Sequence, residues 1–139
     1  MALKMTIKDL DVFLKDVFPQ VCDDFAIEEL SEDEITVRLK VSDKHLRPGG
    51  TVSGPSMFGL ADVCFYLIIL ANVGPKALTV TTNCSIDFMR KPAPKDLIAK
   101  ARLLKLGKAL AVGDVLLFSE GMEKPVAHAN VTYSIPPKD

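Results

Sequence analysis

Asp62 is the residue of this chain whose type and position most strongly suggest chemistry. It stands inside "GGTVSGPSMFGLADVCFYLIILANVG", residues 49–74, and it is the single charged residue between Ser56 and Val73. If the segment is helical, apolar side chains surround Asp62 on neighbouring turns. A buried carboxylate without partners is costly, so it usually has hydrogen-bond partners or a role as general base or nucleophile.

The segment that carries Asp62 is predicted to be a buried helix over residues 56–73, because its apolar run is too long for one strand. Ser53 and Gly54 are candidate capping residues, and Pro55 suits the first turn. The Gly-Pro pair that follows Val73 ends the helix.

The remaining segments predict one further helix and a sheet. Apolar residues at helical intervals indicate an amphipathic helix over residues 6–18, which Pro19 ends. Alternating patterns predict strands at residues 25–30, 34–42, 78–89, 97–107, 109–121 and 126–135. In the strand at 78–89, strict alternation puts Thr81 and Asn83 on one face.

This order predicts an α+β fold in a single domain, residues 1–139. One long central helix is expected to be wrapped by a curved antiparallel sheet, whose last four strands follow one another as a meander. The N-terminal helix is additional to this unit.

Composition excludes several function classes. The chain has 17 Lys and Arg against 18 Asp and Glu, without a basic cluster, so no nucleic-acid partner is expected. The three cysteines, Cys22, Cys64 and Cys84, fit neither a disulfide framework nor a metal site, and no cofactor is expected. The longest apolar run, residues 63–73, is shorter than the roughly 20 residues of a membrane span, so a cytoplasmic protein is expected.

The segment around Asp62 resembles the signature of hotdog-fold acyl-CoA thioesterases of the PaaI-like branch. That signature reads roughly G-x-V-H-G-G, then six residues, then a carboxylate within L-A-D. The matching positions are Gly50, Val52, Gly54, Leu60, Ala61 and Asp62. The resemblance extends over about residues 35–135. Ser53 stands where the motif has His, and Pro55 stands where it has its second Gly.

The resemblance implies hydrolysis of an acyl-CoA thioester, with four catalytic positions. Asp62 would act as general base on water or as nucleophile. The Gly54 backbone N–H at the helix N-terminus would polarise the thioester carbonyl, which agrees with the free donors and positive dipole of helix N-termini. Thr81 would hold a hydroxyl near the attacking water, and Asn83 would serve a neighbouring polar role.

Further residues are expected to bind the substrate. Phe58 and Tyr66 would line the acyl cleft, and Ser53 either replaces one hydrogen bond of the motif His or only caps the helix. Arg90, Lys91 and Lys108 lie in or near two turns. They would suit the phosphates of coenzyme A or form ordinary surface charge.

The spacing of Gly54 and Asp62 predicts a site shared by two subunits. Eight positions apart on one helix, they are separated by about 12 Å, too far to act on the same carbonyl from one chain. Gly54 of one chain facing Asp62 of its partner solves this, so a homodimer is expected, pairing further into a dimer of dimers.

Two alternatives remain open at the level of sequence. The missing motif His suggests a hotdog protein that binds acyl-CoA or lipid without catalysis. His45, in the loop "DKHLRPGG", suggests a hotdog dehydratase or hydratase, although that family has a shorter spacing from His to carboxylate.

Overall fold

The computed structural model describes residues 2–137. Within them the helices are α1 (Ile7–Val17) and α2 (Gly54–Val73), and the strands are β1 (Phe25–Leu30), β2 (Glu34–Leu39), β3 (Val80–Phe88), β4 (Leu97–Leu106), β5 (Leu110–Ser119) and β6 (Ala127–Ser134). The strands form one antiparallel sheet in the order β1-β2-β4-β5-β6-β3, with α2 against its concave face. The predicted fold class, a curved antiparallel sheet around one long helix, is confirmed.

The predicted four-strand meander is correct only for β4, β5 and β6, which pair in chain order, because β3 pairs with β6 at the edge of the sheet and β4 pairs with β2. The linker over residues 89–96 contains Pro92 and Pro94, which favour extended backbone over a tight hairpin. It carries the chain past β6 and β5 to reach β4. This crossover leaves β3 with one unpaired edge.

A capping box at the start of helix α1 and a proline after its end account for its bounds. The Thr6 hydroxyl accepts a hydrogen bond from the Asp9 N–H, and the Asp9 carboxylate accepts one from the Thr6 N–H, so the two residues form a capping box. Leu10 and Leu14 are buried on one face, and Pro19 follows the last turn.

Helix α2 starts two residues before the predicted position, at Gly54. The Ser53 hydroxyl accepts from the Ser56 N–H at 3.2 Å, so Ser53 is the N-cap, and Gly74 at φ 97° ends the helix. Its length and mean hydropathy of 1.8 would suit a membrane span. Here 61% of that apolar window is buried inside the protein, as expected for a core helix.

Close packing of α2 against the sheet requires Gly113 in β5. A side chain at this position would collide with the Arg102 carbonyl and with the ring of Phe65 on α2. The absence of a Cβ atom therefore lets the helix and the strand approach each other.

A β-bulge in β3 changes which side chains face α2. Thr81 pairs with Tyr133 and Asn83 pairs with Thr132, so Thr82 is the extra residue. Thr81 therefore faces inward while Asn83 is exposed. The predicted alternation, which placed both residues on one face, is wrong because it assumed an unbroken register.

Candidate active site

The Asp62 carboxylate is held by two hydroxyl groups from the sheet. Its Oδ1 atom accepts hydrogen bonds from the Thr81 hydroxyl at 2.5 Å and the Tyr133 hydroxyl at 2.6 Å. The Tyr133 oxygen also lies 2.9 Å from the Asp62 carbonyl oxygen. No hydrogen bond among residues 2–137 uses Oδ2. One carboxylate oxygen is thus fixed and the other can accept a proton.

Tyr133 remains a hydrogen-bond donor because its surroundings oppose ionisation. Burial raises its pKa, and the negative charge of Asp62 raises it further. Its ring packs between Phe65 and Tyr66, with centroids 5.7 and 6.2 Å away. Alternation in the strand predicted at residues 126–135 puts Tyr133 on the same face as Ala129 and Val131, and both of these and Tyr133 are buried, but the alternation does not reveal the contact of the Tyr133 hydroxyl with Asp62. A buried Tyr usually has a hydrogen-bond partner, and that was the available signal.

Asp62 lines a cavity of about 460 Å³. Its walls come from α2, from residues 77–81 and from the end of α1; the lining residues are Val17, Phe18, Asp62, Val63, Tyr66, Ala77, Leu78, Thr79, Val80, Thr81 and Tyr133. The Tyr66 hydroxyl donates to the Ala77 carbonyl at 3.1 Å and so joins two of the walls. A mostly apolar cavity with a few convergent polar groups is typical of a small-molecule site.

Gly54 lies in a different cleft, of about 610 Å³, which also contains Arg47, Arg90 and Lys91. The hydrogen bonds of residues 2–137 leave the Gly54 N–H without a protein acceptor. Arg90 donates to the Pro125 carbonyl at 2.8 Å. An open N–H at a helix N-terminus beside cationic side chains can bind negative charge.

Several predicted residues lie outside both clefts. Ser53 is the helix cap, Phe58 is 38% exposed one turn after Gly54, and Asn83 is on the outer face of the sheet. Lys108 lies in the turn between β4 and β5.

His45 has a structural role. It is buried, accepts a hydrogen bond from the Ser42 N–H at Nδ1, and lies 3.6 Å from the Asp24 carboxylate at Nε2. Its carbonyl accepts from the Ser53 N–H, so it fixes the loop before α2. Its position in a loop would predict a solvated side chain, but the imidazole is buried, and neither cleft contains the imidazole that a dehydratase needs.

Two of the three cysteines, Cys64 and Cys84, lie on elements that carry the site, α2 and β3. Within residues 2–137, no cluster of three His, Cys, Asp or Glu side chains has an arrangement suited to a metal ion. Cys64 is buried, and Cys84 is partly buried on β3. Burial raises the pKa of the Cys84 thiol, and the charge of Asp62 adds to the effect.

Substitution Tyr133→Phe should lower the kcat of a reaction that uses the Asp62 carboxylate by about 10-fold, with little change in KM. The expected loss is that of one hydrogen bond to a charged group, while the ring packing is kept. Steady-state kinetics would measure it. Tyr66→Phe is the matched control, because the hydroxyl that it removes donates to the Ala77 carbonyl and not to Asp62. An equal fall in kcat in both variants would contradict the role given to Tyr133.

Comparisons with known proteins show similarity in sequence and in fold. The sequence model of the family described as Thioesterase superfamily matches residues 49–126. A crystal structure of a candidate thioesterase from Silicibacter sp. TM1040 shares 60% identity, covers 99% of this chain and 96% of that chain, and has a TM-score of 0.92.

Two other similar proteins are more distant. A mutant structure of the phenylacetic acid degradation protein PaaI from Thermus thermophilus shares 28% identity over 85% of this chain and 99% of that chain, with a TM-score of 0.73. A candidate esterase from Thermoplasma acidophilum is 23% identical over 106 residues, 76% of this chain and 75% of the relative.

Proposed function

Because the chain belongs to the thioesterase superfamily and is an acyl-CoA thioesterase, we propose that it hydrolyses the thioester in a site shared by two protomers. Asp62 of one protomer activates water, and the Gly54 N–H of the partner stabilises the carbonyl oxygen. The observation that carries the proposal is the Asp62 carboxylate, with Oδ1 fixed by two hydroxyls and Oδ2 free beside an apolar cavity.

The two halves of this site are separate within one chain. Gly54 and Asp62 belong to different clefts, and the helix rise between them is about 12 Å. Both groups must come within about 3 Å of one reacting carbonyl. A second protomer is therefore part of the proposal.

Strand β3 offers the contact that would bring the halves together. Thr81, near its start, bonds to Asp62, whereas Phe88, its last residue, packs against Gly54. Two β3 edges paired antiparallel about a two-fold axis would put the start of one strand against the end of the other. Asp62 of one protomer would then face Gly54 of the partner.

Exposed apolar side chains support pairing along this edge. Large hydrophobic residues on β3 and next to its two ends are 46 to 77% exposed: Leu78, Val80, Phe88 and Met89. An open strand edge flanked by such side chains is prone to pair with another chain. Further pairing into a dimer of dimers remains part of the proposal.

In the proposed reaction, Asp62 Oδ2 accepts a proton from water as the water oxygen attacks the thioester carbon. The carbonyl oxygen becomes an oxyanion beside the partner's Gly54 N–H and the positive end of its helix. Collapse of the tetrahedral intermediate breaks the carbon–sulfur bond. The proton held by Asp62 passes to the leaving thiolate, so the products are a carboxylic acid and free coenzyme A.

Cations near the Gly54 cleft would bind the phosphates of coenzyme A. Arg90 and Lys91 line this cleft, and Arg47, which sequence reasoning did not select, lies there too. Lys108 is at the sheet end where β3 begins, since Leu110 and Val80 both pair with Ser134. In the paired arrangement Lys108 would approach the partner's Gly54 cleft, so it stays in the proposed binding set.

Mixing two inactive variants tests the shared site. Asp62→Asn and Gly54→Pro chains, each inactive alone, are refolded together in equal amounts, and thiol release from acyl-CoA is measured. A mixed dimer keeps one intact site, with Asp62 from one chain and the Gly54 N–H from the other. The mixture should regain about a quarter of wild-type activity, since about half of the dimers are mixed.

The separately refolded variants, combined without subunit exchange, are the control and should stay inactive. A co-refolded mixture that forms mixed dimers and yet shows no activity would place both groups in one chain and contradict the shared site.

A further inference from the structure

The cavity that contains Asp62 has a wall from outside the segment matched by the family model. Val17 and Phe18, at the end of α1, line it, while the matched segment begins at residue 49. Both side chains are partly exposed, at 38 and 40%. They therefore offer apolar surface that no other part of residues 2–137 covers fully.

This wall is fixed with respect to α2. The N–H groups of Lys4 and Met5 donate to the Ala71 carbonyl near the end of α2, at 2.7 and 3.3 Å. Leu10 and Leu14 pack into the core, and the Phe18 N–H donates to the Leu14 carbonyl at 2.8 Å. Since the segment before α1 is hydrogen-bonded to α2 and Leu14, near the other end of α1, is buried in the core, the last residues of α1 lie at a defined distance from Asp62.

The chemistry of the lining selects one class of acyl group. Apolar side chains dominate, and the polar lining residues are Asp62, two threonines and two tyrosines. Among the described residues, no Lys, Arg or His lines the cavity. A carboxylate on the acyl group would meet the charge of Asp62 without a compensating cation, and its desolvation would be costly.

We propose that Val17 and Phe18 form the wall against which the distal part of an uncharged, apolar acyl group packs, so that α1 sets the acyl selectivity of the enzyme. This inference rests on the proposed function, because it places the acyl group beside Asp62. Side-chain volume at positions 17 and 18 then determines the acyl length that fits.

The test measures kcat/KM over straight-chain substrates from butanoyl-CoA to dodecanoyl-CoA, together with succinyl-CoA. Phe18→Ala should raise the ratio of dodecanoyl-CoA to butanoyl-CoA by about 10-fold, and Val17→Phe should lower it by a similar factor. Succinyl-CoA should be the poorest substrate of wild type. Val12→Ala is the matched control, because Val12 is 62% exposed on the same helix and lies outside the cavity.

Phe18→Leu is a milder substitution that should keep the fold even if the alanine variant unfolds. It should raise the ratio of dodecanoyl-CoA to butanoyl-CoA by a smaller factor than Phe18→Ala. Tm is measured for each variant. Ratios equal to wild type in folded variants, or a succinyl-CoA rate equal to that of butanoyl-CoA, would overturn the proposal. Asp62→Asn in the same series separates the two ideas. Full activity of Asp62→Asn would contradict the proposed function. If Asp62→Asn is inactive and the variants at positions 17 and 18 keep the wild-type ratio of dodecanoyl-CoA to butanoyl-CoA, only the role of Val17 and Phe18 is contradicted.

Discussion

Replacing Asp62 with asparagine should lower kcat/KM for acyl-CoA hydrolysis by about 10³-fold, the range observed when a general base is removed. The amide cannot accept a proton from water, so the attacking oxygen is no longer activated. The fold should be kept, because the amide oxygen can still accept the hydrogen bonds that Thr81 and Tyr133 now donate to Oδ1. Thiol release from a panel of short, long and aromatic acyl-CoAs measures the effect.

The control for this variant is Asp33→Asn, which removes an exposed carboxylate from the turn between β1 and β2. It should leave both the rate and Tm unchanged. If Asp62→Asn kept its structure and lost less than about threefold in rate, far below the effect of a catalytic base, Asp62 would be a structural residue instead.

Replacing Gly54 with proline should lower kcat by about 10²-fold, a typical cost of losing one oxyanion donor. Proline removes the backbone N–H and is well tolerated at the first helical position. The preceding residue, Ser53, already has φ −73° and ψ 154°, the extended conformation that a residue before proline prefers. The substitution therefore removes the donor with little expected change in the helix.

Gly54→Ala is the matched control, because alanine retains the N–H. Its Cβ atom would lie 3.5 Å from the Phe88 ring, an ordinary van der Waals contact. The alanine variant should remain within a few-fold of wild type. Equal losses in the two variants would assign the effect to steric change and would argue against Gly54 as the oxyanion donor.

Much of the fold could be predicted from local sequence signals. Apolar periodicity, the stop at Pro19 and the capping residue Ser53 are local signals, so the predicted ranges of both helices agree with the structure within two residues. The sheet order was not predictable from them, because strand pairing depends on long-range packing. The resemblance to PaaI-like hotdog thioesterases is confirmed.

The candidate site was only partly predictable for a related reason. Asp62 is conspicuous as the one charge in an apolar helix, whereas the contact of Thr81 with Asp62 depends on a bulge that periodicity does not reveal. Tyr133 lies 71 positions from Asp62, and Phe18 reaches the cavity only through the docking of α1. The catalytic roles and the cytoplasmic location stay predictions.

Cys84 gives the site a property that matters for redox chemistry. Hydrolysis of acyl-CoA yields coenzyme A, a free thiol, and Cys84 is a cysteine whose pKa is raised by burial and by the Asp62 charge. Thiol–disulfide exchange proceeds through the thiolate, so a cysteine that stays protonated exchanges slowly. Burial, and in addition the charge of Asp62, therefore favour the protonated thiol of Cys84, which slows its exchange with a disulfide such as oxidised coenzyme A.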